Sequence, residues 1–344
     1  MSHPRTLLTL ALLCAAQAVP AHAASLDGVK TYLSGKLTRQ VAGTQALTKA
    51  ADAYYDLAKQ ARFDYRALAK NPATRAAVQQ ARAGWSAASP AYEDIEGIVA
   101  GVEQLSPFDV ILDAGTSGAE GGEDVVPFDL KLPNGKTLPR PGNLFGVNEG
   151  TLWSTVKAFG TGISFDVNGN GKLDYGDQLP DANVLKAAAA ELHAQTLRLQ
   201  AAAKAWRPTR EDVFGALVGN VPTVGPVFFE DWKSSPFVLG QASTRKDFVV
   251  ISRMADLRGN VSSWQAMYTG LSADVKGKNA GLDGQITAGL NELATFVGKL
   301  VSREQTRRYT PEQAEALQRE AQNRATVITG RITQAAALLG VKTQ

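Results

Sequence analysis

The 344-residue chain reads as an all-α protein on three observations. Long Ala/Leu-rich segments place apolar residues at helical intervals, capping signals bracket several of them, and no stretch alternates apolar and polar residues with period two. Together these predict two antiparallel helical bundles joined near 206–220, with one long irregular loop and one Asp/Asn/Gly loop of calcium-binding type.

Each element has its own signal. From Leu26 to about Lys70, Val29, Leu33, Leu37, Val41, Leu47 and Ala51 keep helical spacing, as do Tyr54, Leu57, Ala61, Tyr65 and Leu68, until Asn71-Pro72 breaks the run. A second helix is expected from Ala73 through Trp85, with a restart at Ser89-Pro90 toward Val102. The stretch 115–150, rich in glycine, proline and acids, reads as the long loop. Asp181 can N-cap an Ala/Leu helix that ends near Trp206-Arg207-Pro208. Further helices are expected over 209–219, 226–239, 243–270 and 281–304, the last with Leu282, Ile286, Leu290, Leu293, Val297, Leu300 and Val301 on one stripe. A capping box, Thr310 with Pro311 and Gln313, opens the final helix, and Gly340 closes it.

The N-terminus carries an export signal. Arg5 precedes an apolar run from Leu7 to Val19, and Ala21-His22-Ala23 is a small-x-small cleavage site, so residues 1–23 read as a signal peptide. The expected organisation is then a bundle over 24–206, holding the loop 115–150 and the acidic loop 166–177, and a second bundle over 207–344. The sole cysteine, Cys14, falls in the signal, so the exported protein must rest on its apolar core without disulfides. His3 and His22 leave with it, and His193 alone remains, which argues against a histidine-built zinc site or a Ser-His-Asp triad. The near-neutral balance, +3 over the whole chain, with no basic block, gives no case for nucleic acid. No later stretch is expected to be long and apolar enough to cross a bilayer.

The stretch Asp166-Val-Asn-Gly-Asn-Gly-Lys-Leu-Asp-Tyr-Gly-Asp177 has the spacing of an EF-hand calcium loop. Oxygens from Asp166, Asn168, Asn170, the Lys172 carbonyl, Asp174 and Asp177 can converge on one hard cation, with Gly171 at the sharp turn. Two departures stand out. Position 12 is Asp rather than Glu, and the preceding 159–165 segment, with two glycines, is no incoming helix. The expectation is a single, structural calcium loop; the competing reading is a surface turn with no ion.

Two stretches resemble the imelysin-like family, which includes periplasmic Efe-type iron-uptake proteins. One is Ala81-Arg-Ala-Gly-Trp85 followed by Pro90-Ala-Tyr92-Glu93-Asp-Ile-Glu96. The other is Val221-Pro222-Thr223, Phe228-Phe229-Glu230-Asp231-Trp232-Lys233, Phe237 and then Phe248-Val-Val-Ile-Ser252-Arg253-Met-Ala-Asp256, with the closing helix from Arg319 to Gln334 fitting the same pattern. The resemblance spans most of the chain and implies paired helical bundles with a polar site between them. The family's Gly-x-His-x-x-Glu motif is absent: its nearest counterpart, Gly146-Val147-Asn148-Glu149-Gly150-Thr151, has Asn and Thr at the His and Glu positions. A peptidase would need a metal-activated water, and the ligands for one are missing, so no enzyme is expected.

Glu93 and Glu96, three apart, share a helical face. With Glu230 or Asp231, and with Asn148, Glu149, Arg253 and Asp256 nearby by resemblance, they are the candidates for an interdomain metal or ligand site. The plainer alternative is partly buried structural carboxylates paired with Arg82, Arg253 or lysines. Trp85, Trp153, Trp232, Trp264, Phe228 and Phe229 read as core rather than as a ligand groove, and Glu120, Glu123, Asp124 and Asp129 as a solvated loop. The expected function is an exported protein of the periplasm or cell envelope. It would bind a metal ion or metal complex, iron by resemblance, alongside calcium and in company with other envelope uptake proteins. A calcium-stabilised interaction module for a protein or glycan is the alternative.

Overall fold

The computed structural model describes residues 21–343; the expected signal peptide lies almost wholly outside the described residues. The chain is 70% helical and 4% strand, which makes it the expected helical-bundle protein. In order run α1 (Ala21–Gln60), α2 (Tyr65–Leu68), α3 (Pro72–Val99), α4 (Ser106–Asp109), β1 (Leu130–Lys131), β2 (Thr137–Leu138), α5 (Leu144–Leu152), β3 (Gly160–Ser164), β4 (Gln178–Pro180), α6 (Ala182–Ala205), α7 (Arg210–Asn220), α8 (Glu230–Ser234), α9 (Pro236–Leu239), α10 (Arg253–Lys278), α11 (Ala280–Glu304) and α12 (Pro311–Leu338). Single π-helical turns sit at Val110–Ala114 and Gly225–Phe229. The two sheets are antiparallel hairpins, β1 on β2 and β3 on β4.

Caps form where the side chains call for them. Asn71 accepts from the Ala73 N–H, Asp181 from the N–H groups of Asn183 and Val184, and Thr310 closes a reciprocal capping box with Gln313. The expected stripe of α11 is buried throughout. Helix α1 packs against both α3 and α6; α10 lies against α1 and α3 on one side and against α11 on the other, and α12 packs on α11. One apolar core therefore runs continuously across position 206. A small satellite, with Leu130, Leu132, Val147 and Val184, lies beneath the first hairpin.

Several details differ from expectation. The helical run expected from Leu26 to about Lys70 stops at Gln60, and Arg62 and Phe63 take positive φ before the short α2. Pro90 does not divide α3, because Ala88, Ala91, Tyr92 and Ile95 are buried on both sides of it and their packing outweighs one lost helical hydrogen bond. The 115–150 loop ends at 143, where Asn143 caps α5. The helix expected over 226–239 is broken into a π turn, α8 and α9 at Ser235-Pro236. The helix expected from 243 begins only at Arg253, capped by Ser252. Ahead of it the β-branched run Val249-Val250-Ile251 has low helical propensity, and Phe248 sits at a φ of +51°. By length and composition, one helical run, Arg210–Ser234, does reach membrane-crossing dimensions, contrary to expectation. Half of its apolar window is buried inside the protein, as in a core helix.

α1 and α3 cross closely because each contributes a glycine. A Cβ on Gly84 would lie 2.5 Å from the Leu47 nitrogen, and one on Gly43 would lie 2.7 Å from the Ala88 nitrogen. Gly84→Ala should therefore lower the thermal midpoint. Overpacking of about 1–3 kcal/mol exceeds the gain in helix propensity of about 1 kcal/mol, and thermal unfolding followed by circular dichroism measures the balance.

Candidate functional site

The site forms where α3 crosses α10. A Cβ on Gly259 would come within 2.9 Å of the Glu93 carbonyl carbon, and one on Gly97 would meet the Ser263 Oγ at 2.4 Å, so the two glycines allow the helix backbones to approach. Glu93 and Glu96, on one face of α3 as their spacing predicts, meet Asn260 of α10. The Asn260 Nδ2 donates to Glu96 Oε2 at 2.5 Å and to Glu93 Oε2 at 3.3 Å. Asp113 comes in from the π turn that follows α4, and the carboxylate oxygens of Glu93, Glu96 and Asp113 all lie within 4.8 Å of one another. Asp109 flanks them, accepting from the Tyr92 hydroxyl at 2.6 Å. Asp256 completes the group from the first turn of α10.

A single guanidinium faces these five carboxyl groups. Arg253 Nη1 binds Asp256 Oδ2 at 3.2 Å, and its Nε lies 3.5 Å from Asp231 Oδ2. The Phe228 and Phe248 rings lie 4.5 and 4.0 Å from its Cζ. Glu93, Asp109, Asp113, Arg253 and Asp256 are all buried. Burial, then the neighbouring carboxylates Asp256, Glu96 and Asp113, hold Glu93 well above the usual carboxylate range. Burial and Glu96 do the same to Asp113. Asp109 is pushed up to about 7 by burial and Glu96. Asp256 rises to about 7 by burial, which outweighs the opposing pull of Arg253. Burial acts to lower the Arg253 pKa, yet Asp256, Glu93, Glu96 and Asp113 together keep it raised. The cluster is therefore short of positive charge, and only protons or a bound cation can supply it.

Glu149 projects from α5 toward the same place. It and Gly146 line a cavity of about 10 Å³, water-sized, together with Asp113, Asp247, Phe248 and Asp256. The Glu149 carboxylate accepts the backbone N–H groups of Phe248, Val249 and Val250 at 2.9–3.0 Å. Burial nonetheless pushes it up to about 7, against those hydrogen bonds. The segment 243–252 thus forms a strap over the cavity, pinned by Glu149, by the Thr155 hydroxyl donating to the Lys246 carbonyl at 2.6 Å, and by the Arg245–Asp231 ion pair.

Of the residues expected from sequence, Glu93, Glu96, Glu149, Arg253 and Asp256 come together, with Asp231 reaching them through Arg253. Glu230 does not, since its carboxylate pairs with Lys233 and accepts from Gln318 at the surface. Asn148 does not line the cavity. Its Nδ2 donates to the Leu144 carbonyl within α5, and its Oδ1, fully buried, has no hydrogen-bond partner among the described residues. Arg82 pairs with none of the carboxylates; it donates to the Leu152 and Gly176 carbonyls. Trp85, Trp232, Trp264, Phe228 and Phe229 are core, and Trp153 is half-buried. Asp109, Asp113, Tyr92 and Asn260 were not expected. The π turn that delivers Asp113 has no periodic signature, and Asn260 was discoverable only as the residue one turn beyond Asp256.

The 166–177 loop is the tip of the β3–β4 hairpin, not a helix–loop–helix. Asp166 accepts the N–H groups of Gly169, Asn170 and Gly171, which hold its carboxyl below the usual range, Gly171 most strongly. The Asn168 and Asn170 amides donate to Asp174 Oδ2, and the buried Asp177 accepts from Val167 and Asp174. Gly171 has the left-handed φ of +79° that the loop spacing demands. The hairpin docks on α3, where Arg75, Gln79 and Arg82 donate to the Asp166, Val167 and Gly176 carbonyls.

All donors at the helix crossing are oxygens, or the Asn260 amide that would turn its oxygen inward. The set suits a hard cation bound by carboxylates. An all-α protein with a buried carboxylate site between packed helices is the class so defined. The chain belongs to the imelysin family, whose model, designated peptidase M75, matches residues 28–332. Membership fits an iron-uptake-related envelope protein, and members are typically exported. No curated protein matches the chain.

The raised carboxyl groups set a pH dependence. Between the ordinary carboxylate range near 4 and the raised values near 7, the folded chain binds more protons than the unfolded one. Stability from this cluster therefore falls as pH rises through that window. Urea unfolding in EDTA should give a higher midpoint near pH 5 than near pH 7.5, and Asp109→Asn should flatten that difference.

Proposed function

We propose that this protein binds a hard cation, iron by family, at the α3–α10 crossing and serves envelope iron uptake as a carrier rather than as a peptidase. The observation that carries the reading is the convergence of Glu93, Glu96 and Asp113 within 4.8 Å among buried carboxyl groups faced by one guanidinium. In the cation-free protein, protons keep the cluster tolerable; the arriving cation displaces them and takes their place. Asn260 and Tyr92 hold Glu96 and Asp109 in position, and Arg253 keeps Asp256 oriented. The cavity is water-sized, so loading requires the 243–252 strap to move away from Glu149. The binding role rests on the donor set, in which Asn148 stands where the family's histidine would and is turned away.

We assign the hairpin tip a structural calcium, held by Asp166, Asn168, Asn170, the Lys172 carbonyl, Asp174 and Asp177, with the two amides rotated to present oxygen. Its role is to fasten the hairpin on the first half of α3. The loop's internal hydrogen bonds keep it shaped without the ion, so calcium adds stability and leaves the fold unchanged.

Mass spectrometry of purified protein, stripped with EDTA and then offered calcium and ferric iron together, should find both metals bound. Glu93→Gln with Glu96→Gln should lose the iron and keep the calcium; calcium alone on the unaltered protein would sink the iron reading in favour of an interaction module. Separately, EDTA should lower the thermal midpoint and calcium should restore it, since a ligand of the folded state stabilises by mass action. Asp166→Ala should abolish that response with helical content unchanged.

A further inference from the structure

A second concavity lies on the outer side of the strap. It is an open groove of about 420 Å³ between α9, the turn that follows α11 and Val249. Its lining combines the apolar Pro236, Phe237 and Val249 with the two arginines Arg307 and Arg308. Among the described residues neither arginine forms an ion pair. Glu304, the one acid in the lining, is engaged from the protein side: its Oε1 accepts from the Trp232 Nε1 at 2.5 Å. Arg308 is exposed and passes close to Gly240, where φ is +59° and any Cβ would stand 2.1 Å from the Arg308 Nη1.

We propose that this pocket binds a small polycarboxylate, the class of anion that chelates hard cations. Two neighbouring planar guanidinium groups match two carboxylates in bidentate fashion, and the apolar lining receives the carbon skeleton between them. Inorganic phosphate would satisfy the arginines but leave that lining and most of the volume without contact. The pocket also shares its wall with the inner cavity. Val249 faces the pocket while its neighbour Phe248 lines the cavity, and the N–H groups of both are bound to Glu149. A chelator seated outside would thus touch the segment that must move for its cation to enter. That functional link rests on the cation-carrier reading; the anion site itself does not.

The test is isothermal titration of EDTA-treated protein with citrate and, separately, with inorganic phosphate. Citrate should bind, and Arg307→Ser with Arg308→Ser should weaken it about tenfold or more, as loss of bidentate charge-assisted bonds requires. Both arginines are exposed, so the variant should keep its helical circular dichroism. Glu93→Gln with Glu96→Gln should leave citrate binding unchanged. The assignment is overturned if citrate gives no heat, if the double arginine variant binds it equally well, or if phosphate binds as tightly as citrate. Arginine-dependent citrate binding without any iron uptake would retain the pocket and remove the cation-carrier reading. Iron binding without citrate binding would do the reverse.

Discussion

Five carboxyl groups buried around one guanidinium are the constraint on which the rest of this structure turns. Like charges taken out of water repel strongly and are costly to desolvate, and a single arginine cannot neutralise them. The fold nonetheless brings them together with considerable apparatus: paired glycines that let α3 and α10 touch, a π turn that aims Asp113 inward, and aromatic rings on both sides of Arg253. Replacing the cluster with apolar side chains would be the simpler way to make a stable core. Protons on the raised carboxyl groups relieve part of that repulsion.

α3 organises the molecule along its length. Its first half holds Arg75, Gln79 and Arg82 on a helical stripe, and these clamp the β3–β4 hairpin by its backbone carbonyls. Its middle crosses α1 through Gly84, and its last turns carry Glu93 and Glu96 to α10. The hairpin tip and the carboxylate site are therefore mounted on one rigid element. On the far side, the strap ties α5 to the start of α10 through a single carboxylate, Glu149. The unusual backbone at Phe248 is the local consequence of offering three successive N–H groups to that one partner.

Much of this was legible in residue spacing. Glu93 with Glu96 and Arg253 with Asp256 are i, i+3 pairs whose shared face follows from helix geometry alone, and both pairs reach the site. Caps at Asp181 and Thr310 were equally readable, because each is satisfied by the backbone two or three residues on. Asp109 and Asp113 were not readable, since a four-residue helix and a π turn carry no periodicity. The motif-like stretch of α5 misdirected attention by one residue. Asn148 occupies the expected position, but the helix turns Gly146 and Glu149 toward the cavity, and Asn148 faces the interior of the fold.

The sequence by itself determined that long helices form and where several of them are capped, and the positive-φ turn at Gly171. Each of these depends on residues no more than a turn or a loop apart. Only the tertiary structure decided that Pro90 lies inside one continuous helix, that α10 begins at Arg253 and not ten residues earlier, and which acids meet. In each case the deciding partner is far along the chain: the buried neighbours of α3, the Glu149 carboxylate that takes the N–H groups of 248–250 from any helix, and the crossing that sets Asn260 against Glu96. Side-chain burial and long-range hydrogen bonds outweigh local propensity there, and neither is written in the spacing of neighbouring residues.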